Sequence, residues 1–271
     1  MEALPPILFD RARLRKRRAR AAATRAQHDF LWAEAAERAE ESLSYILRDF
    51  PRMLIFGGQR FTPPKSVTQA IHAGDAIDAE YLPFAENSLD AVISLLDLQW
   101  ANDLPGVLAQ IRRALKPDGL FYAILPGGET LRELRRVFAD TEDSLYGGIS
   151  PRVAPFLDIR DGGALLQRAG FALPVADSEI IDISYPHLFA LMDDLRGTGE
   201  VNMLRQQVQH FTSRRFFAAA AERYANLFSD SEGRIKATME FITLTGWKPA
   251  ITQQQPARRG SGQVSLKDAL N

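Results

Sequence analysis

The chain has no cysteine, which excludes disulfides, thiolate nucleophiles, cysteine-held zinc and iron–sulfur ligation. Long apolar runs are missing too: none reaches the roughly 18–20 residues that a membrane-crossing helix needs, so the sequence points to a soluble or peripheral protein. Histidine is scarce, with His28, His72, His187 and His210 scattered along 271 residues. No His-x-Asp/Glu pair with a distal histidine occurs, and a two-histidine, one-carboxylate iron site has no support. The net charge of −1 lacks the basic excess of a general nucleic-acid binder. What remains is 46% hydrophobic and 25% charged residues, the balance of a globular chain able to bury a full core. The length suits one large α/β domain, or such a domain with a helical addition.

Charge is uneven along the chain. Arg11, Arg13, Arg15, Lys16, Arg17, Arg18, Arg20 and Arg25 crowd the start with no acid among them. Three readings stand: an organelle transit peptide, a basic surface for anionic lipid or an acidic partner, or a solvated helix face. The segment contains no serine, and its helix-like pattern runs on through Phe30-Leu31-Trp32 to Leu43, Ile46 and Leu47. It therefore reads as part of the mature protein, and it lacks the apolar core of a secretory signal. The expected organisation is a basic helical region over 1–50, an α/β domain over 51–248 with a helical insertion at about 187–230, and an irregular tail over 249–271.

Local patterns fill in this outline. Residues 29–48 alternate apolar and charged groups at helical spacing and stop before Pro51, since proline disfavours helix in the residue before it. Met53-Leu54-Ile55-Phe56, closed by Gly57-Gly58, reads as a buried parallel strand and its turn. Val67 to His72 is a weak strand, and Leu89 to Leu96 is apolar enough for a strand covered on both faces. Leu104, Val107, Leu108, Ile111 and Leu115 form a helix stripe, with Leu120 to Leu125 as the next strand. Helices are expected at Thr130–Phe138, Gly163–Ala169, Leu188–Leu195 and Arg214–Phe228, and late strands at Ser178–Tyr185 and Thr238–Trp247. The alternation of strand and helix implies right-handed crossovers in one mostly parallel sheet. No Gly-x-Gly-x-x-Gly follows any strand, which disfavours a dinucleotide-dependent oxidoreductase.

Three segments follow one another: Asp78-Ala79-Glu80-Tyr81-Leu82-Pro83-Phe84, Asn87-Ser88-Leu89-Asp90-Ala91-Val92-Ile93-Ser94 and Leu115-Lys116-Pro117-Asp118-Gly119-Leu120-Phe121. This succession resembles the class I S-adenosylmethionine (SAM) dependent methyltransferases. The resemblance implies an α/β fold with a Rossmann-like sheet, here truncated between the first and third strands, and an inserted C-terminal helical layer. It implies SAM as cofactor, carried onto Gly57, Gly58, Asp78, Ala79 and Leu95, with Asp78 accepting the adenine amino group. Asp78 is equally placed to cap the turn before Pro83, and Gly57-Gly58 to serve as a plain hinge. Two departures weigh against the cofactor. Phe56 stands where the family has an acid, and no Asp or Glu occurs between Arg52 and Gly74 to chelate the ribose. Asp75 is too near Asp78 for that role.

Further motifs narrow the resemblance. Phe9-Asp10-Arg11, Leu98-Gln99-Trp100-Ala101-Asn102-Asp103-Leu104-Pro105, Gly127-Gly128-Glu129-Thr130-Leu131, Ser150-Pro151-Arg152-Val153-Ala154-Pro155-Phe156, Gln167-Arg168-Ala169-Gly170-Phe171, Gly246-Trp247-Lys248 and Arg259-Gly260-Ser261 occur in order. Together they are similar to the methyltransferase-like assembly factor of respiratory complex I, whose mitochondrial member is an arginine hydroxylase acting on a complex I subunit. The family usually has His where this chain has Gln99, and an amide does not titrate. Substrate-side candidates are Asp97, Gln99, Trp100 and Glu129, with no catalytic residue and no metal assigned. Trp100 reads as a core or pocket-wall residue. Glu129 reads either as a partner for a guanidinium or as an acid complementing a helix dipole. The resemblance implies a protein client, with a complex I subunit as the candidate. It implies a cytoplasmic location, peripheral to the inner membrane through Arg11–Arg25, or the mitochondrial matrix in a eukaryote. Active methyltransferase, arginine hydroxylase and non-catalytic assembly factor all stand as functions.

Overall fold

The structure is a computed structural model, and it describes residues 7–74, 77–206 and 212–254. Asp75, His210, the Arg259-Gly260-Ser261 motif and the tail beyond 254 lie outside the described residues. Among the described residues six strands, β1 (Arg52–Phe56), β2 (Gln69–His72), β3 (Leu89–Leu95), β4 (Leu115–Pro126), β5 (Ala172–Tyr185) and β6 (Ile235–Trp247), form one sheet in the order β2-β1-β3-β4-β6-β5. The first four in that order run parallel, while β6 is antiparallel to both β4 and β5. This is the Rossmann-like methyltransferase sheet with the expected truncation. β2 pairs directly with β1, Met53 opposite Ala70 and Ile55 opposite His72, and no helix separates β1 from β3 among the described residues.

Among the described residues seven α-helices accompany the sheet: α1 (Arg11–Ala21), α2 (Phe30–Ser44), α3 (Leu104–Ala114), α4 (Arg132–Tyr146), α5 (Ile159–Arg168), α6 (Leu188–Thr198) and α7 (Arg214–Phe228). The period-two alternation of the strands decides which helix covers which face. Met53, Ile55, Ala91, Ile93, Tyr122 and Ile124 meet Trp32, Ala35, Ala36, Ala39 and Leu43 of α2. Leu54, Val92, Phe121, Ala123 and Leu125 point the other way, onto Val107, Leu108 and Ile111 of α3 and Leu165 and Leu166 of α5. Each leucine or isoleucine buried in this way contributes about 1.5–3 kcal/mol. A third core lies beyond the sheet's end, where α4, α6 and α7 gather Leu134, Val137, Leu188, Leu191, Phe216 and Tyr224 around Tyr185 and Ile235.

Side-chain caps set several boundaries. Asp10 accepts from the N–H of Arg13 at 2.9 Å to start α1, Asp103 accepts from Gly106 at 2.9 Å to start α3, and Ser213 accepts from Phe216 at 3.2 Å to start α7. The expected continuous helix from the basic segment into Phe30 is corrected. Residues 22–29 break it with a turn and a short 3₁₀ segment, so α1 and α2 are free to take different directions. α2 ends at Ser44 rather than running to residue 48, and α4 and β5 are longer than their sequence patterns suggested.

Candidate active site

The carboxyl ends of β1, β3 and β4 face a common cleft, the usual ligand side of an open α/β sheet. Gly57, directly after β1, has φ +65°, which suits glycine. A Cβ on Gly57 would lie 2.0 Å from the carbonyl oxygen of Leu95 and 3.3 Å from Cβ of Asp97. At Gly58 it would lie 2.3 Å from Cγ2 of Ile55. The glycines therefore let the ends of β1 and β3 approach each other, and Leu95 itself is fully buried there.

Asp78 is already engaged. Its carboxylate takes an ion pair from Arg11, a second at 4.0 Å from Arg15, and the N–H of Glu80 at 2.9 Å. Glu80 binds Arg11 at 3.2 Å and accepts from the backbone N–H of Asn102. The side-chain oxygen of Asn102 accepts from the N–H of Phe9 at 2.8 Å. Three motifs that looked separate in sequence thus close on one another: Phe9-Asp10-Arg11, the Asp78 segment and the Leu98–Pro105 segment. Ala79 is buried behind them. Phe9 stands edge-on to Trp100, ring centroids 5.3 Å apart at 89°.

The basic segment is not a uniformly solvated face, which corrects one sequence expectation. Arg18 reaches inward, its Nη1 2.5 Å from Asp97 and its Nε 2.8 Å from Glu200. Burial weighs against the charged guanidinium, but Glu200 and Asp97 outweigh it and hold the pKa of Arg18 above the ordinary arginine value. Arg11 and Arg18 lie on the same helix face with Leu14 between them, while Arg13, Lys16, Arg17 and Arg20 line open surface. Arg11 and Arg18, engaged in the cleft, are therefore not part of the outward basic surface expected over Arg11–Arg25.

Beside Arg18 opens a mainly apolar cavity of about 80 Å³, walled by Leu31, Trp32, Trp100, Phe156, Leu191 and Leu195. Its polar rim is rich in acceptors. Glu200 accepts from the indole N–H of Trp100, and Asp194 lies 2.6 Å from Nδ1 of His28. Gln99 donates its amide to the carbonyl of Leu96 at 2.9 Å, while its Oε1 is buried without a donor among the described residues. Burial pushes the Tyr185 phenol upward, and its hydrogen bond to Asp194 and that carboxylate's charge add to the shift. Leu96 (φ 51°) and Leu131 (φ 55°), two left-handed leucines, border the cavity. Such backbone costs about 1–3 kcal/mol per residue and persists only where its surroundings over-determine it.

Asp97, Gln99 and Trp100 are thus brought together. Glu129 is not: it stays exposed and pairs with Arg132 at 2.8 Å, because its own N–H is taken by Glu240 at 2.8 Å and the turn directs Thr130 and Leu131 inward instead. Sequence reasoning missed Arg18, Glu200, Asp194 and His28. Two glycines carried the signal: a Cβ on Gly197 would strike the His28 ring at 2.1 Å, and one on Gly199 would lie 3.1 Å from the backbone of Arg17. Gly197-Thr198-Gly199 is therefore the cradle for the N-terminal segment.

SAM does not fit these residues in this arrangement. The Asp78 oxygens are occupied by Arg11, Arg15 and a backbone N–H. Phe56 is buried at the acid's position, and β2 ends at His72, followed by Ala73, neither of which can chelate a ribose.

A family model described as "Methyltransferase domain" matches residues 51–123. The arginine-hydroxylase NDUFAF5, mitochondrial, of Rattus norvegicus is 37% identical, covering 96% of this chain and 83% of its own. Its namesake from Danio rerio is 33% identical, with 96% and 89% covered. The malonyl-[acyl-carrier protein] O-methyltransferase of Xylella fastidiosa (strain M23) is 30% identical, with 95% and 94% covered. Among the described residues no helix is long and apolar enough to cross a membrane. The matched motifs, the methyltransferase sheet and this near-complete mutual coverage place the chain in the family of the methyltransferase-like arginine-hydroxylase NDUFAF5.

Proposed function

We propose that this methyltransferase-like chain recognises an arginine side chain of a protein client, with the guanidinium between Asp97 and Glu200 and the stem in the apolar cavity beside Trp100. The acceptor-rich rim carries this reading: Asp194, Glu200 and Gln99 line the apolar hollow, and Arg18 joins Asp97 to Glu200 at its edge. Guanidinium is the complement of such a rim, with five N–H donors in a planar fork on an aliphatic stem. The names of the rat and zebrafish relatives support the same substrate class, and the resemblance to complex I assembly factors suggests a complex I subunit as the client. The test is a nuclear magnetic resonance titration of the full chain with acetyl-arginine amide and its neutral counterpart acetyl-citrulline amide. The arginine probe should shift the Trp100 indole signal, and Glu200→Gln should weaken that response about tenfold. Equal responses to the two probes would remove the proposal.

A second reading, a SAM-dependent methyltransferase, rests on the family's methyltransferase relatives and requires Arg11 and Arg15 to leave the Asp78 carboxylate. Phe56, and the lack of any helix between β1 and β3 among the described residues, favour a non-catalytic assembly factor instead. Calorimetric titration with SAM and S-adenosylhomocysteine separates the two. Submillimolar affinity, lost in Asp78→Ala, supports the enzyme; no heat supports the scaffold.

A further inference from the structure

Arg11, Leu14, Arg18 and Ala21 follow one another at spacings of three, four and three, a single stripe along α1. Leu14 and Ala21 are buried, and the two arginines of the stripe grip Asp78 and Asp97 at two places in the cleft. Arg18 enters the very rim assigned above to a client guanidinium. Its fit is incomplete: Nη1 and Nε are bonded, but Nη2 is buried with no partner among the described residues. Buried donors in a purely structural ion pair are normally all satisfied.

We propose that α1 is a pseudosubstrate latch, with Arg18 filling the guanidinium seat until a client arginine displaces it. This rests on the reading of the Asp97–Glu200 rim as a guanidinium site. The helix is suited to release. It has 11 residues and buries only Leu14 and Ala21 of its own, and helices that short are marginal in water without their docking surface. Much of its seat is charge, and residues 22–29 join it to α2 outside any α-helix or strand. Among the described residues α1 pairs with no strand of the sheet, so its departure leaves the ladders of β1 to β6 intact.

The experiment combines binding of acetyl-arginine amide with amide hydrogen exchange over Arg13–Ala21, in the unmodified full chain and in Arg18→Ala. Arg18→Ala should bind the probe at least tenfold more tightly and exchange the α1 amides at least tenfold faster, with β3 and β4 unchanged. Equal probe affinity in the two proteins overturns the latch while leaving the guanidinium site standing. Faster α1 exchange with no probe binding overturns both. Should Arg18→Ala fail to fold, the unmodified chain still decides. Added acetyl-arginine amide should speed α1 exchange more than acetyl-lysine amide at the same ionic strength, and equal effects overturn the proposal.

Discussion

Arg11 and Asp78, 67 positions apart in the chain, meet as an ion pair at the carboxyl end of the sheet. The carboxylate that sequence resemblance assigns to an adenine amine is thereby used to hold the N-terminal helix across the cleft. Glu80 and Asn102 extend the contact to Phe9, so three sequence motifs share one closure.

Asp78→Asn should release the start of α1 with little global cost. Both side chains are partly exposed, at 22% and 32%, and ion pairs of that kind are worth about 0–1 kcal/mol. Urea denaturation should move by about that amount, while hydrogen exchange in α1 rises. A loss of several kcal/mol would instead make the pair part of the fold's foundation.

Gly57→Ala should be costly whether or not any ligand binds. The new Cβ would meet the Leu95 carbonyl at 2.0 Å at a φ of +65°. Backbone strain and overpacking together amount to about 2–4 kcal/mol. Denaturation midpoints of Gly57→Ala and the unmodified chain check this, and matching values would show a loop free to move aside.

Trp100→Phe keeps an aromatic wall for Phe9 but removes the indole N–H that Glu200 accepts. The expected loss is about 1–3 kcal/mol, against about 3–5 kcal/mol for Trp100→Ala, which also empties the site. Thermal unfolding of the pair should rank them in that order.

Acid should weaken the packing of α4 through Glu142. Burial raises the pKa of this carboxyl, but hydrogen bonds from Arg152 and Ser150 outweigh it and leave the folded value below the ordinary 4.5. A depressed folded pKa gives stability that is present above pH 4.5 and is lost as pH falls through the lower, folded value. Glu142→Gln should therefore show a shallower decline in stability below about pH 4.5 than the unmodified chain. Parallel curves for the two proteins would assign the acid sensitivity elsewhere.

Replacing Lys16, Arg17 and Arg20 together by Glu should reduce co-sedimentation with anionic phospholipid vesicles and leave the cleft contacts of Arg11 and Arg18 in place. Burial and repulsion from Arg13, Arg20 and Arg196 lower the pKa of Arg17, the signature of crowded cations that an anionic surface would relieve. Equal sedimentation of the two proteins would end the membrane reading.

Most of the sheet was legible because buried parallel strands advertise themselves. Leu89–Leu95 is almost continuously apolar, and Leu54, Val92 and Phe121 alternate with Ile55, Ile93 and Tyr122 between two covered faces. The shortened connection after β1 was equally visible, since too few residues stood between Gly58 and Leu82 for a helix, a strand and a second helix. The places of Gln99 and Trp100 beside the cavity were legible from their position just after a strand's carboxyl end. Glu129 was misplaced because sequence puts it in the correct turn without saying which way the turn faces.

By itself, the sequence determined the strands, their helical covers, the missing segment and the family. Periodicity and motif order are local properties, and they survive without knowing how distant parts meet. Only the tertiary structure decided the fate of the charges. Arg18 meets Glu200 across 182 positions and Arg11 meets Asp78 across 67, and no local pattern distinguishes an arginine turned into a cleft from one left in water. That choice depends on which carboxylates the folded sheet and α6 deliver to the same place.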